Sequence, residues 1–319
     1  MNKIIRASRL RFKRIIEHLK IFKQRVKLFF VPRLGTLYHY PPRPYHIPIN
    51  YNKTNKLKNT PVISIVTPSF NSIDFIERTI KSVLEQRYPK LEYVVQDGGS
   101  NDGTVEILNK YSDSLTHWQS IRDKGQSNAI NLGFNNTSGE IMAYLNSDDT
   151  LLPGTLSYVA QYFSKHPEVD VVYGHRVLIN EEDNEIGRWI LPPHCNYTIL
   201  WHDFIPQETL FWRRRIWDKV DGYIDESFQF AMDWDLTMRF RDAGARFVRL
   251  PRFLGSFRVH SRMKSIGKVD MVGVKEMNLL RKRWHDPEIS GVKLERIIRR
   301  YLWYHVLLNN MYRLKLLRY

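Results

Sequence analysis

Two adjacent carboxylates, Asp148 and Asp149, follow an apolar run at residues 141–145 and are the side chains best suited to chemistry. A short apolar run bounded by polar turn residues is typical of a strand that is covered on both faces. The acids therefore follow its carboxyl end, where ligands bind in an open α/β sheet. Neighbouring carboxylates repel one another unless a cation joins them, and hard oxygen ligands suit Mg²⁺ or Mn²⁺. The alternative is an Asp-Asp turn that caps a helix beginning near Pro153.

Strands and helices alternate along the chain on both sides of these acids. Apolar, β-branched or aromatic runs predict strands near residues 62–66, 91–95, 116–121, 141–145, 169–173 and 250–259. Helical patterns separate the earlier strands, which indicates βαβ units and a largely parallel sheet. The strands end in Gly, Asn, Asp or Ser, so several polar tips should meet at one edge of the sheet. We therefore predict an α/β fold with a Rossmann-like, mostly parallel central sheet flanked by helices.

The composition fits a folded protein with a substantial core. The chain has 319 residues, and 43% of them are hydrophobic. Its single cysteine, Cys195, excludes an internal disulfide and any multi-cysteine zinc or iron-sulfur site. The sequence shows neither a membrane-spanning apolar run nor the apolar centre of a signal peptide. We expect a cytoplasmic protein that is peripheral on the inner face of the cell membrane.

The strong basic charge is confined to the two ends of the chain. The formal net charge is +16, but residues 1–30 hold ten Lys or Arg and one Glu, and residues 291–319 hold seven and one. The middle of the chain therefore carries only about +1. A nucleic-acid-binding protein would spread basic residues over its folded body, so we predict no nucleic-acid partner.

The charge and the proline content divide the chain into segments. Residues 1–31 form a predicted basic amphipathic helix, because apolar residues recur every seven positions at Ile5, Phe12, Leu19 and Val26. Such a helix fits an anionic membrane surface, and the alternative is packing on the body or on a second subunit. Residues 32–60 read as a Pro-rich linker that runs over the surface. A catalytic body is predicted at 61–265, followed by basic C-terminal helices at 266–319.

Several motifs stand in one order over residues 61 to about 261. They are TPSFN at 67–71, VQDGGSNDGT at 95–104, DKGQSNAINLGF at 123–134, GEIMAYLNSDD at 139–149, AMDWDLTMRF at 231–240 and FRVHS at 257–261. With this set the chain resembles the inverting family 2 glycosyltransferases, bacterial cell-surface polysaccharide type, which have the nucleotide-sugar-binding fold called GT-A. The ordered set is far more specific than any of its members.

The resemblance implies a metal site at the central acids. A leaving nucleotide diphosphate develops negative charge, which a divalent cation offsets. Asp148 and Asp149 would hold Mg²⁺ or Mn²⁺, with Asp148 also near the ribose, and His260 in FRVHS would complete the coordination. The family usually has a third acid where this chain has Asn146, which could bind the donor only through a neutral oxygen.

The resemblance also implies a nucleotide pocket. Asp97 matches the acid that accepts from the uracil N–H, and Pro68 and Phe70 lie at the tip of the first strand. Lys124 and Asn131 match positions that line the pocket. For Asp102, which precedes a predicted helix, we favour a capping role over a functional one.

A catalytic base and an acceptor side follow from the same resemblance. Asp233 matches the family's catalytic aspartate, although Met232 stands where many relatives have Glu. Asp235 would point elsewhere on the helix and is assigned a structural role. Gln207 and Glu208 match a polar pair that faces the acceptor. Residues 181–206, which are polar, Pro-containing and include Trp189 and Trp201, predict loops that form a substrate wall.

The expected activity is therefore metal-dependent, inverting transfer of a sugar from a nucleotide-diphosphate sugar, expected to be UDP-linked. The expected acceptor is a lipid-linked or cell-surface saccharide. A sugar nucleotidyltransferase would show a Gly-rich, basic loop after the first strand, and TPSFNS lacks it. A non-catalytic nucleotide-sugar-binding protein would not need the acids Asp97, Asp148, Asp149 and Asp233 together with His260.

Overall fold

The computed structural model describes residues 30–52, 59–263, 272–284 and 291–319. The basic amphipathic helix predicted for residues 1–31 thus lies outside the described residues, apart from its last two positions. The strands are β1 (Ile63–Ser69), β2 (Leu91–Asp97), β3 (His117–Ser120), β4 (Ile141–Tyr144), β5 (Thr150–Leu151), β6 (Val171–Ile179), β7 (Glu185–Trp189), β8 (Phe211–Arg213) and β9 (Phe247–Arg258). The α-helices are α1 (Ile76–Leu84), α2 (Thr104–Lys110), α3 (Gln126–Phe134), α4 (Thr155–Lys165), α5 (Asn196–Ile199), α6 (Arg214–Lys219), α7 (Met232–Asp242), α8 (Val274–Trp284) and α9 (Gly291–Arg313).

In the described ranges, nine strands form one sheet in the order β3-β2-β1-β4-β8-β6-β9-β5, and β7 pairs with β6. The pairs β1/β2, β1/β4 and β2/β3 are parallel, as the alternation of strands and helices predicts. Strand β8 enters antiparallel between β4 and β6, and β6 pairs in parallel with β9. The predicted α/β architecture, with its mostly parallel sheet and flanking helices, is confirmed.

Side-chain alternation along the strands supplies a hydrophobic core on each face of the sheet. In β4, Met142 and Tyr144 point into a core shared with the α3 and α7 helices, which Trp212 and Trp234 fill. The intervening Ile141 and Ala143 point into the opposite core, against α1 and α4. Successive residues of a strand face opposite sides, so a continuously apolar strand must be covered on both.

One strand extends beyond its predicted end, and a second forms where loops were predicted. Strand β6 runs to Ile179 rather than stopping at Tyr173, and it includes the buried polar residues His175 and Arg176. Its pairing with β9 over nearly its whole length holds these residues in the strand. The loops predicted at residues 181–206 contain β7, which pairs antiparallel with β6. Hydrogen bonds to β6 hold these residues in a strand, although their polar sequence predicts a loop.

The Pro-rich segment before the body is attached to it at defined points. Arg43 forms a backbone bridge with Glu185 at the start of β7, and the two side chains form an ion pair. Tyr51 is buried, and its carbonyl accepts a hydrogen bond from Arg252. The segment is thus attached to the body through Arg43 and Tyr51, and its composition does not indicate these contacts.

The described part of the C-terminal region contains α8 and α9, and α9 packs on the body along one face. His305 of α9 is fully buried, and its Nδ1 lies 2.6 Å from the carbonyl oxygen of Ile190. Tyr301 packs against Phe204 with 4.6 Å between ring centroids. Within the described ranges, no helix combines the length and the apolarity needed to cross a membrane.

Candidate active site

A cavity of about 850 Å³ opens where the carboxyl ends of β1, β2 and β4 meet. Parallel strands bring these ends to one edge, so the polar tips gather there as the strand order requires. The residues at its wall include Pro68, Phe70, Gly98, Asp123, Asn146, Asp148, Asp149, Arg176, Trp189, Asp203, Gln207, Glu208, Asp233 and His260. Most of the predicted site residues therefore surround one volume.

Arg258 holds the turn that carries the two central acids. Its backbone N–H donates to Asp149 Oδ1 at 3.0 Å, and its Nε donates to the carbonyl of Asp148 at 2.8 Å. A third bond runs from its guanidinium to the carbonyl of Asn180, and the side chain is almost completely buried. Strand β9 therefore fixes the backbone of the Asp-Asp turn and does not leave it as a solvated loop.

Asp148 and His260 lie side by side in the wall of the cavity. His260 Nε2 is 3.0 Å from Asp148 Oδ2, and the histidine ring packs on Phe75 with centroids 4.7 Å apart. His260 Nδ1 is buried, and no described residue forms a hydrogen bond with it. A carboxylate oxygen and an imidazole nitrogen that converge from two different elements fit a divalent cation that takes its other ligands from a phosphate group.

Asp149 occupies a different position from its neighbour. It is buried, and burial together with the charges of Asp148 and Glu208 raises its pKa well above the usual range. Among the described residues, no three His, Cys, Asp or Glu side chains are grouped so as to hold a metal ion. The structure therefore brings together Asp148 and His260 but not the full predicted set with Asp149.

Asn146 both donates and accepts hydrogen bonds in the site. Its Oδ1 accepts from Gln126 Nε2 at 2.6 Å, and its Nδ2 donates to Gln207 Oε1 at 3.1 Å. Gln207 in turn donates to the carbonyl of Tyr144 at 2.7 Å. An amide can donate and accept at once, whereas a carboxylate only accepts, so this network is suited to Asn at this position.

Asp233 lies in the first turn of α7 and faces the cavity. Its Oδ1 accepts from the backbone N–H of Trp234 at 2.9 Å. Burial raises the pKa of Asp233 to about 6, against the opposing effect of this hydrogen bond. Asp203 also faces the cavity, and burial together with the charge of Asp233 raises its pKa well above the usual range. A carboxylate with a pKa near neutrality is suited to general-base catalysis.

Glu208 is neutralised by a buried arginine. Arg176 Nε donates to Glu208 Oε1 at 2.7 Å, and a second guanidinium nitrogen bonds the other carboxylate oxygen. The guanidinium lies 4.7 Å from the ring centroid of Trp189 and 4.5 Å from that of Phe257. This forked, aromatic-sandwiched pair forms a rigid part of the wall beside Asp233.

The residues predicted to bind the nucleotide divide into two groups. Pro68 and Phe70 line the cavity, and the Phe70 ring is 64% exposed. Asp97, Lys124 and Asn131 lie outside its lining. Asp97 is fully buried, and its carboxylate accepts hydrogen bonds from the N–H groups of Gly99 and Ser100 and from the hydroxyls of Ser100 and Ser120. Asn131 bonds the backbone of Ile224 in both directions.

Three residues of the site were not singled out from the sequence: Arg176, Asp203 and Arg258. Arg258 stands in the FRVHS motif beside His260, so the motif itself could have pointed to it. Arg176 and Asp203 have no local signal. The two acids assigned structural roles behave as predicted: Asp235 is paired with Arg239 and Arg283, and Asp102 accepts from the N–H of Thr104 at the start of α2.

Two solved structures share this architecture. S. aureus TarS in complex with UDP-GlcNAc superposes with a TM-score of 0.57 at 20% identity, over 80% of this chain and 76% of that chain. The mannosyltransferase PcManGT from Pyrobaculum calidifontis, in complex with GDP-Man and Mn²⁺, gives 0.56 at 18% identity, over 90% and 76%. At these identities the likeness shows the fold, which is the predicted GT-A fold.

Sequence comparison gives the family. Over 232 residues the chain is 27% identical to the chondroitin synthase of Escherichia coli, a match that covers 70% of this chain but only 34% of that protein. The model of glycosyl transferase family 2 matches residues 64–230, which is more than half of the chain and includes β1 to β8. The predicted resemblance is thereby confirmed, and the chain belongs to glycosyl transferase family 2.

Proposed function

We propose that this glycosyltransferase moves a sugar from a UDP-linked donor to a saccharide hydroxyl with inversion at the anomeric carbon. The observation that carries the proposal is the shared cavity. Asp148 and His260 lie at one part of its wall, and Asp233, with a pKa raised to about 6, lies at another. In this proposal the donor diphosphate binds beside Asp148 and His260 and the acceptor hydroxyl beside Asp233, on opposite sides of one anomeric carbon.

Binding of the donor falls to the tips of β1, β2 and β4. The exposed Phe70 ring and the adjoining Pro68 offer an apolar platform for the nucleotide base. Asp97 braces the loop that follows β2, through its bonds to Gly99 and Ser100, and so shapes the same end of the cavity. Lys124 and Asn131 lie outside the cavity lining, and their role in the nucleotide pocket stays a prediction. UDP-GlcNAc bound to TarS supports a UDP-linked donor.

Asp148 and His260 are the side chains that would hold Mg²⁺ or Mn²⁺ together with oxygens of the donor diphosphate. When bound, the cation offsets the negative charge that develops on the leaving group. Asp149, buried beneath the turn, keeps Asp148 in place through its bond to the Arg258 backbone. The Mn²⁺ in the PcManGT complex supports a divalent cation in this fold.

Asp233 takes the proton from the acceptor hydroxyl as its oxygen forms a bond to the anomeric carbon and the bond to the diphosphate oxygen breaks. Attack from the side opposite the leaving group inverts the configuration. Gln207 acts through Asn146, which it orients, and Glu208 acts through Arg176 as part of the acceptor wall. A lipid-linked or cell-surface saccharide is the proposed acceptor, and the inner face of the cell membrane the proposed location.

Calorimetry measures the affinity for UDP with and without Mn²⁺ and so tests the metal-dependent donor site. Slow hydrolysis of the protein's own donor, measured over a panel of UDP- and GDP-sugars, tests which nucleotide sugar it uses. We expect Mn²⁺ to strengthen binding of UDP and Asp148→Asn to lose about tenfold or more of that affinity. Asp113→Asn removes an exposed acid far from the cavity and serves as the matched control. Equal binding of UDP by Asp148→Asn and the wild type, with Mn²⁺ and with EDTA, would contradict the assignment.

A further inference from the structure

The solvent side of α9 carries a basic and aromatic surface. Its members recur at intervals of three and four and therefore share one face of the helix. They are Arg296, Arg299, Arg300, Trp303, Tyr304 and Leu307, here called the α9 outer face. Trp303 is 54% exposed and Leu307 53% exposed, which is unusual for apolar side chains so close together.

Packing fixes the direction in which this face points. The opposite side of α9 buries Tyr301, His305, Val306 and Leu308 against the body. Rotating the helix to hide Trp303 would expose His305, which bonds both the backbone N–H of Arg33 and the carbonyl of Ile190. The α9 outer face is therefore held toward solvent by the fold itself.

The charge of this face selects among its conceivable occupants. Residues 1–29 of the same chain carry ten Lys or Arg and one Glu, so the basic α9 outer face would repel them. The α9 helix of a second copy carries the same positive charge and would be repelled as well. Anionic lipid headgroups supply the opposite charge. Trp and Tyr rings are favoured at the level of such headgroups, and the long arginine stems reach around them.

We propose that the α9 outer face docks on an anionic lipid bilayer and brings the active-site cavity to a lipid-borne acceptor. The second half of this inference rests on the proposed function. Exposed Leu314 and Leu316, with Lys315 and Arg318, continue the same basic and apolar character beyond the helix end.

The cavity lies close to this helix. The N–H of Arg33 bonds His305 of α9, and Gly35, two residues further, already lines the cavity. Two residues of extended chain span at most about 7 Å. Leu37 and Trp189 line the same edge, and Trp189 donates to the carbonyl of Thr36. A helix with side chains is about 10–12 Å across. A saccharide attached to a lipid in a bilayer on the α9 outer face could therefore reach the cavity.

Cosedimentation of the full chain with phosphatidylglycerol vesicles tests the surface. Each basic residue near such a surface contributes about fivefold in binding, so Arg296→Gln, Arg299→Gln and Arg300→Gln together should weaken it on the order of 100-fold. A second variant, Trp303→Ser with Leu307→Ser, removes the apolar part without changing charge and should also weaken binding. The matched control, Arg87→Gln, Lys90→Gln and Lys165→Gln, removes three exposed charges outside α9 and should bind vesicles like the wild type.

The proposal fails if the arginine variant binds vesicles like the wild type, or if the control loses as much. It also fails if sedimentation equilibrium shows a wild-type dimer that the Trp303 and Leu307 variant abolishes, because the occupant would then be a second copy. Calorimetry with UDP distinguishes failure of the docking proposal from failure of the proposed function. The arginine variant should bind UDP with the affinity of the wild type whether or not it binds lipid.

Discussion

Burial gives Asp233 the properties that a general base requires. An exposed aspartate is ionised throughout the neutral range but is too weak a base to accept a hydroxyl proton efficiently. Partial burial in the wall of the cavity raises the pKa of Asp233 to about 6, while the nearby Arg176 opposes the shift. The side chain is thus both ionised and more basic at neutral pH.

Asp233→Asn keeps the size of the side chain but removes its ability to accept a proton. General-base catalysis is typically worth about 10²- to 10⁴-fold, so the single-turnover transfer rate should fall by that range while the affinity for UDP barely changes. Asp242→Asn, at the exposed end of the same helix, is the control. A parallel loss of UDP affinity and rate would show that Asp233 binds the donor instead.

The raised pKa of Asp233 also predicts a pH profile. The base must be ionised, so kcat/KM should fall about tenfold per pH unit as the pH drops below 6. Because the folded state holds this proton more tightly than the unfolded chain, the contribution of Asp233 to stability is lost as the pH rises through about 6. Asp233→Asn should therefore melt higher than the wild type at pH 7. An unchanged melting temperature would argue against a buried, ionised Asp233.

At the scale of elements, the site depends on how closely α3 approaches β1. Gly133 of α3 faces Val66 of β1, and a Cβ added at Gly133 would lie 2.4 Å from Val66 Cγ1. The helix therefore needs glycine here to sit on the strand, although glycine weakens a helix. The start of this helix carries Gln126, which bonds Asn146 in the cavity. The close packing of α3 on β1 thus positions the side chain of Gln126 at the cavity.

Gly133→Ala should lower the free energy of unfolding by about 1–3 kcal/mol, because overpacking against Val66 forces the helix outward. This loss outweighs the gain of up to about 1 kcal/mol that alanine brings to a helix interior. Urea denaturation gives the value, and Asn135→Ala, exposed at the end of the same helix, should change it by less than about 0.5 kcal/mol. A Gly133→Ala protein as stable as the wild type would refute the close approach.

At the scale of the molecule, the basic charge is separated from the catalytic body. The net charge of +16 resides almost wholly in the two ends, and α9 displays its share on one outward face. The cavity, in contrast, is lined by several acids that are buried or paired with arginine. Attraction to a membrane and recognition of the donor therefore rest on different parts of the chain and should respond differently to salt.

Raising the salt concentration from about 0.1 M to about 1 M shortens the Debye length from about 10 Å to about 3 Å. We expect the protein to leave phosphatidylglycerol vesicles over this range, because exposed charges are screened. Binding of UDP in the cavity should weaken much less. Vesicle binding that is insensitive to salt would point to apolar insertion rather than charge as the source of attachment.

The sequence by itself determined the fold class and the position of the site. Continuous apolar runs alternate with helical patterns, and this alternation predicts a sheet with helices on both faces. Polar tips after these strands were expected to meet at one edge, which placed Asp148 there, while Asp233 and His260 were assigned to the same site through the family resemblance.

Only the tertiary structure decided which of these side chains face the cavity and what holds them. Asp149 lines the cavity beside Asp148, yet its side chain is buried and accepts a hydrogen bond from the backbone N–H of Arg258, more than 100 residues away. The sequence around Arg176 gives no sign of its role, which depends on the buried ion pair that it forms with Glu208. Such pairs join residues far apart in sequence, and burial depends on every element packed around them, so no local pattern encodes them.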